Sequence, residues 1–160
     1  MAPTVTAANL QGFLGKPIKD ICSLGFDDGA ENHCAHFVSH ALGIHCATLC
    51  GDMRFATRHK GATIKVHELF NNLTQRGSWQ DRPKGGSPVL IFVTSASNVT
   101  NNQMANVPQK HVGIACDSGV YNYSNTLHRV ICDASIEIFH SKFKHAYHGS
   151  DISIYYGVIP

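Results

Sequence analysis

Cys34 and His111 are the two residues around which nucleophilic chemistry can be built in this sequence. A thiol becomes a useful nucleophile when its thiolate is stabilised. The first turn of a helix does this through unpaired N–H groups and the positive end of the dipole. Across residues 31–43, apolar side chains fall at Cys34, Phe37, Val38, Ala41 and Leu42, the spacing of a single helical face. Asn32 suits the N-cap and Gly43 the C-terminal stop, so Cys34 is predicted in the first turn. His111 begins a strand, from which an imidazole can take the thiol proton if a further group fixes its tautomer. Asn125 is the preferred third group, because pairing across Asp117 to Gly119 sets its amide nearly opposite His111. Tyr123 is the alternative by simple counting, and a register change of one residue would exchange the faces. The developing oxyanion would meet backbone N–H groups at the helix start, including that of Cys34, and no cofactor is required.

Each of these residues also has an ordinary structural reading. A cysteine at a helix start commonly serves as a small core hydrophobe, and Tyr121 and Tyr123 fit cross-strand packing equally well.

The elements that must carry the pair change from helical to strand-like along the chain. After the Cys34 helix, residues 66–73 read as a second short helix, followed by a polar connection over 74–88. Residues 89–94 form a buried-strand candidate with four consecutive apolar side chains, and 95–110 read as a long surface loop. Residues 111–116 and 120–124 flank Asp117-Ser118-Gly119, a hairpin signal in which the glycine supplies positive φ. Residues 129–132 suggest another strand, 135–146 a helix and 152–158 a closing strand. The order predicts an α+β domain with helices first and a mainly antiparallel sheet after them.

With 160 residues, 43% of them hydrophobic, the chain suits one domain spanning 1–160. A net charge of +2, with only 15% charged residues, argues against nucleic acid as a partner. The first 25 residues lack the pattern of a Sec signal, and no segment approaches the roughly 20 apolar residues of a membrane span. The expectation is a soluble protein without membrane insertion. Six cysteines in a chain of this size read mainly as free thiols, with Cys46 and Cys50 the one pair close enough in sequence to bridge within a loop.

The segment from Asn32 to Gly43, Asn-His-Cys-Ala-His-Phe-Val-Ser-His-Ala-Leu-Gly, resembles the nucleophile helix of NlpC-type and CHAP-type papain-like cell-wall amidases. His111-Val112-Gly113-Ile114, with Gly119 and Tyr121 beyond, resembles their catalytic histidine strand and hairpin, and Ile154-Tyr155-Tyr156-Gly157 a closing strand. The sequence departs from the pattern at His33, where such enzymes often carry Asp or Asn. The resemblance implies a papain-like fold with Cys34 and His111 as catalytic pair. It also implies hydrolysis of amide bonds in peptidoglycan peptide stems through a thioester. Small amidases of this kind without a Sec signal resemble type VI secretion effectors or phage lysins. That implies delivery to a target cell's periplasm, or secretion, and a cognate immunity protein as partner.

Two other readings compete. His36 and His40 stand at i, i+4 near Cys34, His45, Cys46 and Cys50, which raises a zinc-binding structural module. The absence of Cys-x-x-Cys or His-Glu-x-x-His spacing favours a groove-lining or partly solvated helix face for these histidines instead, and a polar surface for His140, His145 and His148. Residues 32–38 also resemble the Asn-Cys-x-His-Phe of lecithin:retinol acyltransferase-like proteins. In those proteins, however, the catalytic histidine precedes the cysteine.

Overall fold

The computed structural model describes residues 5–85, 88–148 and 151–160. Among these residues four α-helices, α1 (Ala7–Gln11), α2 (Cys34–Leu42), α3 (Val66–Asn72) and α4 (Ile136–Ala146), and several short 3-10 turns accompany eight strands. The strands are β1 (Arg76–Ser78), β2 (Val89–Ser95), β3 (Val99–Thr100), β4 (Gln103–Met104), β5 (Lys110–Cys116), β6 (Gly119–Ser124), β7 (Arg129–Asp133) and β8 (Ile152–Gly157). Six of them form an antiparallel sheet in the order β1-β8-β2-β5-β6-β7, and β3 and β4 make a separate small hairpin. This is the mixed helix and mainly antiparallel sheet that the sequence predicts, with α4 following most of the strands.

Strand alternation divides the core into two layers. Leu90, Phe92, Val112, Ile114, Tyr121 and Tyr123 meet the apolar sides of α2 and α3 on one face. Ile91, Val93, Ala115 and Val120 meet Phe139 of α4 on the other. Because β2 is buried on both faces, it reads in sequence as a continuous apolar run rather than an alternating one. Phe37, Phe70 and Phe92 are fully buried, each contributing on the order of 1.5–3 kcal/mol relative to exposure.

Helix α2 is enclosed on nearly every side, which its one-sided apolar stripe does not foretell. Cys34, Ala35, Phe37 and Val38 join the core facing the sheet, while His36 and Ser39 are covered as well. Gly43, with φ 67°, ends the helix as expected. At its start the cap position belongs to His33 rather than Asn32. Asn32 instead uses its side-chain Oδ1 to accept from the Cys34 N–H at 3.0 Å.

Two stretches read as irregular contain short strands. Within residues 74–88, of which Gly86 and Ser87 lie outside the described residues, Arg76–Ser78 pairs with β8. Within residues 95–110, the β3–β4 hairpin buries Met104 and is held by Asn71, whose amide exchanges two hydrogen bonds with the Met104 backbone. Both elements are two or three residues long, too short for periodicity to register.

The β5–β6 turn consists of Asp117 and Ser118 alone, and Gly119 opens β6 with φ 130°. A Cβ there would lie 2.3 Å from the Asp133 carbonyl oxygen, so the position requires glycine twice over. The two-residue turn fixes the register Cys116↔Gly119, Ala115↔Val120 and Ile114↔Tyr121.

Candidate functional site

Pairing between β5 and β6 stops at Ile114↔Tyr121, although β5 reaches back to Lys110 and β6 forward to Ser124. The N-terminus of α2 stands at this parting. The Val112 N–H turns toward the Cys34 sulfur, and the Ala35 N–H does the same from within the helix. Asn125, just past β6, locks the approach: its Oδ1 accepts from the His33 N–H at 3.0 Å and its Nδ2 donates to Asn32 Oδ1 at 2.9 Å.

His111, the residue before Val112, projects from the opposite face of the sheet. Its ring stacks on Phe143 with centroids 4.5 Å apart and lies 6.0 Å from Phe139. Its Nε2 lies 3.0 Å from Oδ1 of Asn122. The Asn122 amide is itself fixed, since Nδ2 donates to Asp133 Oδ2 at 2.9 Å and to the Val120 carbonyl at 3.1 Å. Lys142 closes the chain at 2.6 Å from the same carboxylate oxygen. With the amide nitrogen committed to a carboxylate, its oxygen must face the imidazole, so Nε2 carries the proton. Nδ1 is therefore the basic nitrogen.

Gly113 permits this arrangement. A Cβ at that position would lie 2.8 Å from Val120 Cγ1 and 3.1 Å from the Asn122 Cβ, so a larger residue would push Asn122 away from His111.

The structure thus sets the Cys34 sulfur at the Val112 N–H on the α2 side of β5, and the His111 imidazole one residue earlier on the α4 side. The described hydrogen bonds run from His111 to Asn122 rather than to Cys34. Neither group expected beside His111 is there. Asn125 ties the turn before α2, and the Tyr123 hydroxyl accepts from the Ile18 N–H at 3.2 Å while its ring packs on His33. The error is one of register. Reading Asp117 to Gly119 as a three-residue turn aligns Asn125 with His111. The two-residue turn instead puts the even-numbered residues of β6 on the His111 face, where Asn122, level with Gly113, reaches the imidazole diagonally. The Cys34 N–H, expected as an oxyanion donor, is engaged by Asn32.

Both titrating groups are neutral over a wide pH range. Burial pushes the Cys34 thiol up to about 11, against the smaller opposing effects of the Val112 and Ala35 N–H groups and Lys110. Burial also brings His111 down to about 4, partly offset by its bond to Asn122. Tyr147, beyond the end of α4, has its phenol raised by burial and by the proximity of Cys34. Cys34 itself has no exposed surface.

A cleft of about 400 Å³, lined by Asn32, Lys110, His67, Ile64 and Phe26, opens next to the chain neighbours of both residues. A second cleft of about 390 Å³, lined by Trp79, Arg82 and Cys116, lies at the other end of β5 and has no part in this geometry. The six cysteines are all unbridged. This agrees with the free thiols expected from the sequence: Cys46 meets Thr63 and Cys50 faces Cys22, and the one candidate pair, Cys46 and Cys50, is not bridged.

His36 departs most from expectation, being fully buried rather than solvated, with its Nε2 unpartnered. His140 is half-buried, with Nε2 at 2.8 Å from the Ile152 carbonyl. Among the described residues no helix is long and apolar enough to cross a membrane. No protein-family model, curated protein or solved structure matches the chain at significant similarity.

Proposed function

We propose that the protein is a papain-like cysteine amidase in which Cys34 is the nucleophile, His111 its base and Asn122 the group that orients His111. One observation carries the reading. The Asp133–Asn122–His111 chain holds the proton on Nε2 and leaves the Nδ1 lone pair as the base, on the strand whose next N–H reaches the Cys34 sulfur.

The first step requires the imidazole to swing around the edge of β5, where its pairing with β6 has ended, to reach the sulfur. The thiol proton then passes to His111 Nδ1 as sulfur forms a bond to the carbonyl carbon of the substrate amide. The oxyanion is stabilised by N–H groups at the start of α2, with the Cys34 N–H exchanging Asn32 Oδ1 for substrate oxygen. The C–N bond then breaks, His111 returns the proton to the leaving amine, and water hydrolyses the thioester. Attack by a neutral pair, with proton transfer concerted, matches a thiol held up and an imidazole held down by burial. Peptidoglycan stem peptides are the substrate class implied by the motif around Cys34. Incubation of the purified protein with muropeptides should release new amine and carboxyl termini, detected by mass spectrometry. Intact muropeptides after prolonged incubation with folded protein would refute that substrate.

Asn122 is a positioning residue in this scheme. Asn122→Ala should lower kcat by about tenfold to a hundredfold, less than the 10²–10⁴ that a general base itself supplies, with KM little changed. Asn122→Asp gives a second readout. A carboxylate beside Nε2 favours the imidazolium, so the acid limb of kcat/KM should move to higher pH than in the wild-type protein, where His111 titrates at about 4. An unchanged limb in Asn122→Asp would remove Asn122 from the mechanism.

A further inference from the structure

Behind the Cys34 helix, on the side turned away from the sheet, four side chains from three separate segments converge. Cys22 comes from the N-terminal segment, His36 and His40 from successive turns of α2, and Cys50 from the loop after it, and their ligand atoms all lie within 4.8 Å of one another. The two sulfurs are 3.8 Å apart, and Cys50 Sγ is 3.7 Å from His40 Nε2. A tetrahedral ion with Zn–S bonds of about 2.3 Å requires sulfurs about 3.8 Å apart.

The hydrogen bonds around the cluster prepare a ligand. His33 Nε2 lies 2.7 Å from the Asp28 carbonyl, which can only accept, so that nitrogen carries the proton and His33 Nδ1 is bare. His36 Nδ1, 3.2 Å away, must then be the donor to it. This leaves a lone pair on His36 Nε2, a nitrogen that is fully buried and has no hydrogen-bond partner. A histidine whose outer nitrogen is fixed by a neighbour while its inner nitrogen is free is the usual arrangement of a metal ligand. Each sulfur also meets a backbone donor, the Leu24 N–H at 3.4 Å from Cys22 Sγ and the Ala62 N–H at 3.3 Å from Cys50 Sγ, contacts of the kind that orient metal-bound sulfur.

We infer that Cys22, His36, His40 and Cys50 form a structural zinc site that pins the helix carrying Cys34 to the segments on either side of it. Two thiolates and two imidazoles in tetrahedral reach select Zn²⁺ over Mg²⁺ or Ca²⁺, which take oxygen donors. Four protein ligands leave no open position, so the ion holds structure and performs no hydrolysis. Binding releases two thiol protons and yields a neutral Cys₂His₂ centre. Cys34 precedes His36 by two residues and faces the sheet, so the site fixes the helix without touching the nucleophile.

The proposal is independent of the amidase reading, and its test reads metal rather than turnover. The full chain, purified without chelator, should contain one zinc per molecule by native mass spectrometry and elemental analysis. After zinc removal it should take up one Co²⁺ with the intense visible bands of a tetrahedral centre and a thiolate-to-metal charge-transfer band. Cys34→Ala and Cys46→Ser should bind as wild type, whereas Cys22→Ser and His36→Gln should weaken binding by at least about tenfold. A wild-type chain that carries no zinc and gives only the weak spectrum of octahedral Co²⁺ would overturn the site. So would a chain two hydrogen masses lighter with Cys22 and Cys50 disulfide-linked. Because both decisive readings use the wild-type chain, a variant that fails to fold does not obscure the result.

Discussion

Cys34→Ala should lower amide hydrolysis more than about a thousandfold, His111→Ala should fall nearly as far, and the double variant should be little worse than either. The near-equality matters more than the size. If sulfur and imidazole act as one unit, removing the first leaves the second nothing to activate, whereas independent contributions would multiply. Turnover measured on the three variants distinguishes these cases, and a double variant that loses the product of the two single losses would break the pairing. Thiol reactivity supplies an independent check. Cys34 is fully buried with its thiol raised to about 11, whereas Cys46, Cys116 and Cys132 are half-buried. Iodoacetamide at neutral pH should therefore label those three first without inactivating the protein. Activity should be lost only in a slower phase that tracks Cys34 in the peptide map. Inactivation coincident with labelling of Cys46 or Cys116 would place the nucleophile elsewhere.

The same buried imidazole makes stability depend on pH in a definite direction. His111 is held below its ordinary value of 6.5, to about 4, so the folded state binds its proton less readily than the unfolded chain does. Its contribution to stability is complete above pH 6.5 and is lost as pH falls through about 4.

The sequence was most informative where one residue type had a single local reason to be present. The left-handed Gly43 ended α2, positive-φ Gly119 marked the hairpin, and the apolar run of β2 announced a strand covered on both faces. It was least informative where a site depended on register or on the meeting of distant segments. A turn of two residues rather than three exchanges the face that carries Tyr123 and Asn125 for the one that carries Asn122, because strand faces alternate with period two. Asp133 and Lys142, which fix the Asn122 amide, come from β7 and α4, and no spacing within the hairpin points to them. Cys22 carries no sequence signal for a similar reason. It lies fourteen residues before His36 in an irregular segment, and only the folding of that segment over the back of α2 brings it to Cys50. The i, i+4 spacing of His36 and His40 was visible, but taken alone it fits a solvated helix face equally well. What decided against solvation was burial by segments outside the helix, which the apolar stripe of α2 does not encode.

Fusing the chain to a periplasmic export signal should make its expression lytic in a Gram-negative host, while the same chain kept in the cytosol should be tolerated. The argument rests on where the proposed substrate lies. Peptidoglycan stems are assembled into polymer outside the inner membrane, so a cytosolic amidase specific for them does not meet its polymer. The two compartments also differ in redox state. Cys22 and Cys50, 3.8 Å apart, would be exposed to oxidation in the periplasm unless a metal held them as thiolates. Export of the already folded, metal-loaded chain is therefore the fair form of the experiment. Lysis should depend on Cys34 and His111, so Cys34→Ala exported in the same way should leave growth unaffected. Four growth curves suffice, for wild type and Cys34→Ala with and without the signal. Equal toxicity of the wild-type chain in both compartments would point to a cytosolic target. Lysis by exported Cys34→Ala would show that membrane stress or aggregation, rather than amide hydrolysis, kills the cell, and either result would sink the peptidoglycan assignment.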